Sequence, residues 1–188
     1  MVAERFDLHA GGAERSAAQI AVGLTRRGHR VTIIAGSCPD PQALPDVTVL
    51  AMTETKSASL IRFLRFVRWA RRQLARGRFD VSLSLTTAVP ATVVEPRNGT
   101  VRETLRRNIA AGASWKGRFA KRIRIGLGPK YHAQLAMERR TLADPSVSRI
   151  VAISHYVIDQ LCEHYRLDPE RIELIPNGSV MTCAGQAQ

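Results

Sequence analysis

Short runs of apolar residues alternate along the chain with longer stretches in which apolar residues recur every three or four positions. The short runs, bounded by glycine, proline or polar residues, indicate buried strands, whereas the longer spacing indicates amphipathic helices. The pattern predicts seven strands, at residues 2–6, 31–35, 47–52, 81–85, 92–95, 150–153 and 172–175. Strands that alternate with helices predict an α/β fold with a Rossmann-like, doubly wound and mostly parallel sheet.

The helices between these strands are predicted with one apolar and one polar face. The helix expected to begin at Ser57 places its apolar residues on one side, at Leu60, Phe63, Leu64, Val67, Ala70 and Leu74. The opposite side carries Arg62, Arg65, Arg68, Arg72 and Arg76, with Arg71 intruding on the apolar face. This pattern favours a crossover helix packed on the sheet, with lipid contact as the alternative.

Three further helices are marked by their ends. Thr100 is placed to cap a helix that begins near Val101, and Ser154 to cap a helix over residues 155–165. A helix over residues 129–143 is expected to turn Leu135 and Leu142 inward and Glu138, Arg139 and Arg140 outward, and to end at Asp144. His155 and His164 are expected to have no role beyond ordinary helix contacts.

Gly11 and Gly12 follow the first predicted strand and precede the first predicted helix, which carries Ala17, Ile20, Ala21 and Leu24 on one face. A strand–helix–strand unit places such a loop at the carboxyl end of the strand, where open α/β sheets bind ligands. Glycine lets the backbone approach a ligand, and a helix start offers N–H groups to an anion. A nucleotide diphosphate is one interpretation, and a tight turn without a ligand is the other. Glu14 is expected to stabilise the helix dipole rather than to act in catalysis.

A dinucleotide site is excluded by spacing. The glycine pair lacks the GxGxxG arrangement, and the second strand ends in Gly36-Ser37 without an acid to hold a ribose hydroxyl. NAD is therefore not expected.

Motifs at both ends of the chain resemble one family. Gly11-Gly12-Ala13-Glu14-Arg15 and the later Arg26-Arg27-Gly28-His29 resemble the opening of GT-B glycosyltransferases of family 4. Residues 149–154, residues 165–172 and Ile175-Pro176-Asn177-Gly178 resemble the stretch that closes the amino-terminal domain of that family. The resemblance covers nearly all of residues 1–178 and extends to lipopolysaccharide-core-type transferases.

The resemblance implies the acceptor-side domain of a sugar-nucleotide-dependent hexosyltransferase that acts on a membrane-associated glycan or glycolipid. Residues 1–178 would form this domain, and residues 179–188 an unpatterned tail. The carboxyl-terminal donor-binding domain of the family has no counterpart in the sequence, so the chain is expected to be incomplete and inactive alone. The resemblance implies a nucleotide sugar as co-substrate and no cofactor.

By resemblance, Gly11 and Gly12 would lie beside the donor diphosphate. The acceptor cleft would be lined by Thr86, Thr87, Arg97, Asn98, Gly99 and Thr100. The family often has a histidine or an acid where this chain has Arg97 and Asn98, neither of which is a good general base. No catalytic residue is therefore assigned.

Length and composition fit one well-buried domain. The chain has 188 residues, 45% of them hydrophobic, and no apolar run approaches the roughly 20 residues of a membrane span. The three cysteines are widely spaced without a CxxC pair, and the five histidines lack ligand spacing, so no metal site is expected. The expected location is the cytoplasm, on the inner face of the membrane.

The net charge of +12 is concentrated in two segments. Residues 57–79 contain seven arginines and no acid, and residues 97–124 contain nine basic residues and one acid, Glu103. Local basic clusters indicate anionic lipid or nucleic acid. The low aromatic content of 5% and the absence of a reader motif disfavour nucleic acid.

The second basic segment is interleaved with apolar residues at four-residue spacing. Trp115, Phe119, Ile123 and Leu127 alternate with cations, as in an amphipathic helix at a membrane surface. The expected membrane contact is made by Trp115, Lys116, Arg118, Phe119, Lys121, Arg122, Ile123 and Arg124. A solvated helix pair is the alternative. The function that competes with sugar transfer is a noncatalytic basic module that binds membrane or nucleic acid.

Overall fold

The protein is described here from a computed structural model, in which residues 1–7, 11–53, 58–97, 99–112, 114–176 and 178 are placed. Within these ranges seven parallel strands form one sheet: β1 (Val2–Ala3), β2 (Val31–Ala35), β3 (Val47–Ala51), β4 (Leu83–Ser84), β5 (Val93–Val94), β6 (Arg149–Ala152) and β7 (Ile172–Leu174). The helices are α1 (Gly12–Arg26), α2 (Ser59–Arg76), α3 (Val101–Ala110), α4 (Trp115–Leu127), α5 (Pro129–Ala143) and α6 (His155–Tyr165), with a short 3₁₀ turn at Pro169–Arg171.

The order of the strands across the sheet is β3-β2-β1-β4-β5-β6-β7. The chain runs outward from β1 through β2 and β3, returns to pair β4 with the other side of β1, and then continues outward in the opposite direction. The direction of progress reverses between β1 and β4, and ligands of open α/β sheets bind at such a reversal. The predicted doubly wound sheet is confirmed, and every strand pair in it is parallel.

Helices cover both faces of the sheet because β2 buries alternate residues on opposite sides. Ile33 and Ala35 pack with the small residues of α1, including Ala17 and Ala21. Ile34 faces the other way, into a cluster with α2. A third cluster joins β5 and β6 to α5 and α6. These layers form a hydrophobic core on each face of the sheet.

The strands are shorter than the sequence predicts. The first ends at Ala3 rather than at residue 6, although backbone hydrogen bonds from Ser37 N to Glu4 O and from Phe6 N to Ser37 O continue irregularly beyond it. The fourth excludes Val81, which is 66% exposed. β1 and β4 therefore contain two residues each.

The inner face of α2 differs from the prediction at Leu64. Phe63, Phe66, Val67 and Ala70 are buried, whereas Leu64 is 40% exposed. The prediction for Leu64 was wrong because Phe66, which it left off the inner face, occupies the space against the sheet. The expected start at Ser57 lies outside the described residues, and the observed helix begins at Ser59. Among the described helices, none has both the length and the apolar character needed to cross a bilayer.

Candidate functional site

A cleft of about 390 Å³ opens at the strand-order reversal between β1 and β4. Its walls come from the loops after β1, β4 and β5 and from the first turns of α1, α3 and α5. The polar and charged residues that line it are Glu4, Arg5, Glu14, Thr86, Thr87, Arg97, Thr104, Asn108, Tyr131 and Gln134. The cleft has the size of small-molecule sites, about 300–1,000 Å³, and side chains that can hydrogen-bond to hydroxyl groups.

Four residues predicted for an acceptor cleft line this space: Thr86, Thr87, Arg97 and Gly99. Thr100 is fully buried behind the wall, and Asn98 lies outside the described residues. Gly11 and Gly12 are not among the lining residues, but the next two residues, Ala13 and Glu14, are. The structure therefore gathers most of the predicted set around one cleft, and their roles there stay predictions.

The backbone does not itself require glycine at Gly11 or Gly12. Gly11 precedes α1 with a φ of −72°, which any residue can adopt, and a Cβ there would contact Glu14 Oε2 at an ordinary 3.5 Å. A Cβ on Gly12 would have no atom of the described residues within 4 Å. Glycine at the N-cap position 11 has no side chain to accept from the first N–H groups of α1. In the described part of the chain, the start of α1 is therefore uncovered at Gly12.

Arg97 is held inside the wall of the cleft rather than extended into it. Its side chain is 6% exposed, and Nε lies 2.9 Å from Glu95 Oε1. The guanidinium also donates a hydrogen bond to the carbonyl of Ala13 in the first turn of α1. Arg97 thereby ties the start of α1 to the loop that follows β5.

Glu4 and Thr86 bridge the two strands at the reversal. Thr86 Oγ1 donates to Glu4 Oε1 at 3.0 Å and accepts a hydrogen bond from Ala88 N at 3.2 Å. The bridge fixes the loop after β4 against the residue that follows β1. Glu4 was not predicted as a site residue. Its position directly after a strand that ends at the reversal is a signal for one.

Thr100 caps α3, as predicted, and also binds Gln160 of α6. Its Oγ1 accepts from Glu103 N at 3.2 Å and donates to Gln160 Oε1 at 3.2 Å, and its N donates to the same oxygen at 2.9 Å. The preceding residue, Gly99, has a φ of 72°, and a Cβ there would lie 2.7 Å from Gln160 Oε1. The positive φ favours glycine at position 99, and a Cβ there would also displace the Gln160 side chain from its present position.

Glu138 is completely buried, so the prediction that it faces outward was wrong. Its Oε2 accepts hydrogen bonds from Thr87 Oγ1 at 2.9 Å and from Val101 N at 2.7 Å, and its Oε1 accepts one from the Tyr165 hydroxyl. Burial and the hydrogen bond to Glu138 raise the pKa of Tyr165 above its ordinary value of 10.0. The carboxylate supplies negative charge at the start of α3 and joins that helix to the loop after β4.

Glu103 forms a second buried carboxylate centre between α3 and α6. Hydrogen bonds from Arg106, at 2.7 and 3.0 Å, and from Tyr156, at 2.6 Å, lower its pKa from 4.5 to about 2. His164 Nε2 lies 3.2 Å from Glu103 Oε2. His164 was expected to make ordinary contacts, and its partner proves to be a residue 61 positions earlier.

The predicted amphipathic helix of the second basic segment is confirmed as α4, and Ser114 caps it by accepting from Gly117 N at 3.1 Å. Its apolar residues face solvent: Trp115 is 67% exposed, Phe119 60%, Ile123 46% and Leu127 78%. None of the residues of α4 is buried. Contact with lipid stays a prediction.

Metal ligation has no support in the part of the chain that the structure describes, where no group of three or more histidine, cysteine, aspartate or glutamate residues is close enough to hold an ion.

A family model described as Glycosyltransferase Family 4 matches residues 10–179. The fold is similar to the crystal structure of WaaG, a glycosyltransferase involved in lipopolysaccharide biosynthesis, with a TM-score of 0.72 at 18% identity over 96% of this chain. A glycosyltransferase from Rickettsia africae ESF-5 aligns over 93% of the chain at 14% identity, with a TM-score of 0.44. The chain spans 46% of the WaaG structure and 42% of the second one. No curated protein matches in sequence.

Proposed function

Because this chain belongs to Glycosyltransferase Family 4, we propose that it is the acceptor-side half of a sugar-nucleotide-dependent glycosyltransferase that acts on a membrane-associated glycan or glycolipid. The cleft between β1 and β4 would bind the acceptor. The donor would lie between this cleft and a second, donor-binding half, on the same polypeptide or on a partner. In the reaction the bond from the sugar to the nucleotide diphosphate breaks, and a bond to an acceptor hydroxyl forms as that hydroxyl loses its proton.

The observation that carries this proposal is the open surface at Gly12. Among the described residues, neither backbone conformation nor neighbouring atoms account for glycine there, whereas a diphosphate that approached the start of α1 closely would. Arg97 supports the arrangement by fixing Ala13, so that the first turn of α1 holds its position beside the cleft. Glu4 and the threonines after β4 offer acceptors and donors to the hydroxyl groups of a glycan.

A matched pair of variants tests the role of Gly12. Gly12→Val adds a side chain at the first residue of α1, whereas Gly23→Val makes the same change near the other end of that helix, away from its free N–H groups. We expect the first variant to abolish sugar transfer and the second to retain it, with both folding normally. The measurement is transfer from UDP- and GDP-sugars to a membrane extract by the chain combined with a donor-binding half. Equal activity in the two variants would show that Gly12 is a turn residue without a ligand.

Peripheral attachment to the inner face of the cytoplasmic membrane is part of the proposal. The exposed apolar residues of α4, together with its five cations, have the chemistry to insert beside anionic headgroups. α4 is followed directly by α5, whose first turn reaches the cleft through Tyr131. Attachment through α4 would thus bring the cleft close to an acceptor carried by lipid.

A further inference from the structure

A second and larger cleft, of about 750 Å³, opens beside the first at the carboxyl ends of β1, β2 and β3. Glu4 and Arg5 line both clefts, so the two spaces adjoin across the residues that follow β1. The start of α5 also reaches both, through Lys130 in the second cleft and Tyr131 in the first. A ligand in the first cleft could therefore extend into the second.

The second cleft carries an excess of positive charge. Arg62 extends from the first turns of α2, Lys130 from the start of α5 and Arg5 from the loop after β1. Among the described residues, neither Arg62 nor Lys130 has a carboxylate within ion-pair distance. Arg5 is paired with Asp7 at 2.6 Å.

The acid that lines the cleft is engaged elsewhere. Glu4 accepts the hydrogen bond from Thr86, a residue that lines the first cleft and not the second. Glu4 also forms no ion pair with Arg62 or Lys130, so within the described part of the chain these two cations are available to an anion. Guanidinium and ammonium groups are the usual protein ligands of phosphate.

We propose that the second cleft binds a phosphate group of the acceptor, with Arg62 and Lys130 as its ligands. Phe63 and Phe66 provide an apolar wall against which the uncharged part of the same ligand can pack. That the phosphate belongs to an acceptor rests on the proposed function, whereas the phosphate site itself rests on the cleft and its cations. The phosphate is carried either by a sugar of the glycan or by the glycerol of a lipid.

Two soluble probes distinguish these sources. Glucose 6-phosphate represents a sugar phosphate and glycerol 3-phosphate represents the lipid headgroup, while glucose and glycerol are their uncharged controls. We expect a phosphorylated probe to shift the amide resonances of Gly36, Ser37 and Ser59 in the NMR spectrum of the 188-residue chain, and the uncharged molecules to leave them unchanged. The probe that binds more tightly identifies the source.

A variant pair assigns the cations. We expect R62Q/K130Q to weaken binding of the tighter probe at least about tenfold, a loss that corresponds to 1.4 kcal/mol. R68Q/R72Q removes the same charge from exposed positions of α2 outside the cleft and should leave binding unchanged. Equal weakening in both variants, equal binding of glucose and glucose 6-phosphate, or no shift with either phosphate would overturn the proposal.

The two proposals fail independently. If phosphate binding is present but Gly12→Val leaves sugar transfer unchanged, the phosphate site stands and the proposed function loses its support. If sugar transfer depends on Gly12 but no phosphate binds, the second cleft is not a phosphate site.

Discussion

Glu103 and Glu138 are acidic residues with buried side chains. Each is almost inaccessible to solvent, and each accepts hydrogen bonds from more than one element. A buried carboxylate is tolerated when its oxygens are fully hydrogen-bonded, and removal of one partner then leaves an unsatisfied charge. Both residues therefore fix α3, the helix whose first turn lines the cleft.

The low pKa of Glu103 makes a prediction about acid stability. A carboxyl group whose pKa is lower in the folded than in the unfolded protein stabilises the fold above the unfolded value, and the stabilisation is lost as pH falls through the folded value. With a pKa of about 2 against an ordinary 4.5, the contribution of Glu103 should be lost between about pH 5 and pH 2. Denaturant unfolding of the wild type and Glu103→Gln across this range measures it.

The Glu103→Gln variant is the reference for the wild type, since glutamine does not titrate. We expect the difference in unfolding free energy between the two proteins to be largest above pH 5 and to shrink toward pH 2. A difference that does not vary with pH would mean that folding does not lower the pKa of Glu103.

At the scale of elements, the sequence was most informative where one periodic pattern decides the structure. The strands around Val31, Val47 and Ile150 and the helix α4 follow from local spacing, and the caps at Thr100 and Ser154 follow from residue type. Strand lengths were overestimated because apolar residues such as Val81 extend the pattern beyond the paired residues.

The polar interior could not be derived in this way. Glu138 is followed by two arginines and belongs to an ordinary polar stretch, while its partners are Thr87, Val101 and Tyr165, which lie 27 to 51 positions away. Gln160 and Glu103 are similar cases, since their burial depends on how α3 meets α6. Of the cleft, the threonines and the glycine loop were identifiable from their place after strands, whereas the packing of Arg97 on Ala13 depends on the tertiary fold.

The helix α4 presents large apolar residues to solvent, and its predicted role is attachment to anionic membranes. Each cation near such a surface contributes on the order of 1 kcal/mol, within a Debye length of about 10 Å at 0.1 M salt. We expect binding to anionic vesicles to weaken as salt rises. Replacement of all five α4 cations by glutamine should abolish most of this binding. The five cations are Lys116, Arg118, Lys121, Arg122 and Arg124. Vesicle sedimentation is the measurement.

A control of equal charge separates a specific contact from general attraction. Replacement of five exposed arginines elsewhere by glutamine, at Arg68, Arg71, Arg72, Arg76 and Arg78, should leave most of the binding intact. A larger loss in this control, or equal sedimentation with neutral and anionic vesicles, would place the membrane contact elsewhere or nowhere.

In the molecule as a whole, the sheet and its helices position two clefts and one exposed apolar surface. The reversal between β1 and β4 creates one cleft, the ends of β2 and β3 extend it into a second, cationic cleft, and α4 presents an apolar surface just before α5 reaches both. The proposed function connects them, because an acceptor anchored in lipid would meet α4 and the clefts together. Sugar transfer by such a domain needs a donor-binding half, so we expect the 188-residue chain alone to transfer little.

The central claim, that this chain takes part in adding a sugar to a membrane-associated glycan, is tested most directly by the glycans of cells that make it. Mass spectrometry of extracted glycolipids should be compared between cells with the gene, cells without it, and deleted cells that again express either the wild type or Gly12→Val. We expect deletion to shorten one glycan class by a single sugar, and the wild type, but not Gly12→Val, to restore it. An unchanged glycan profile after deletion would show that the chain takes no part in adding a sugar to these glycans.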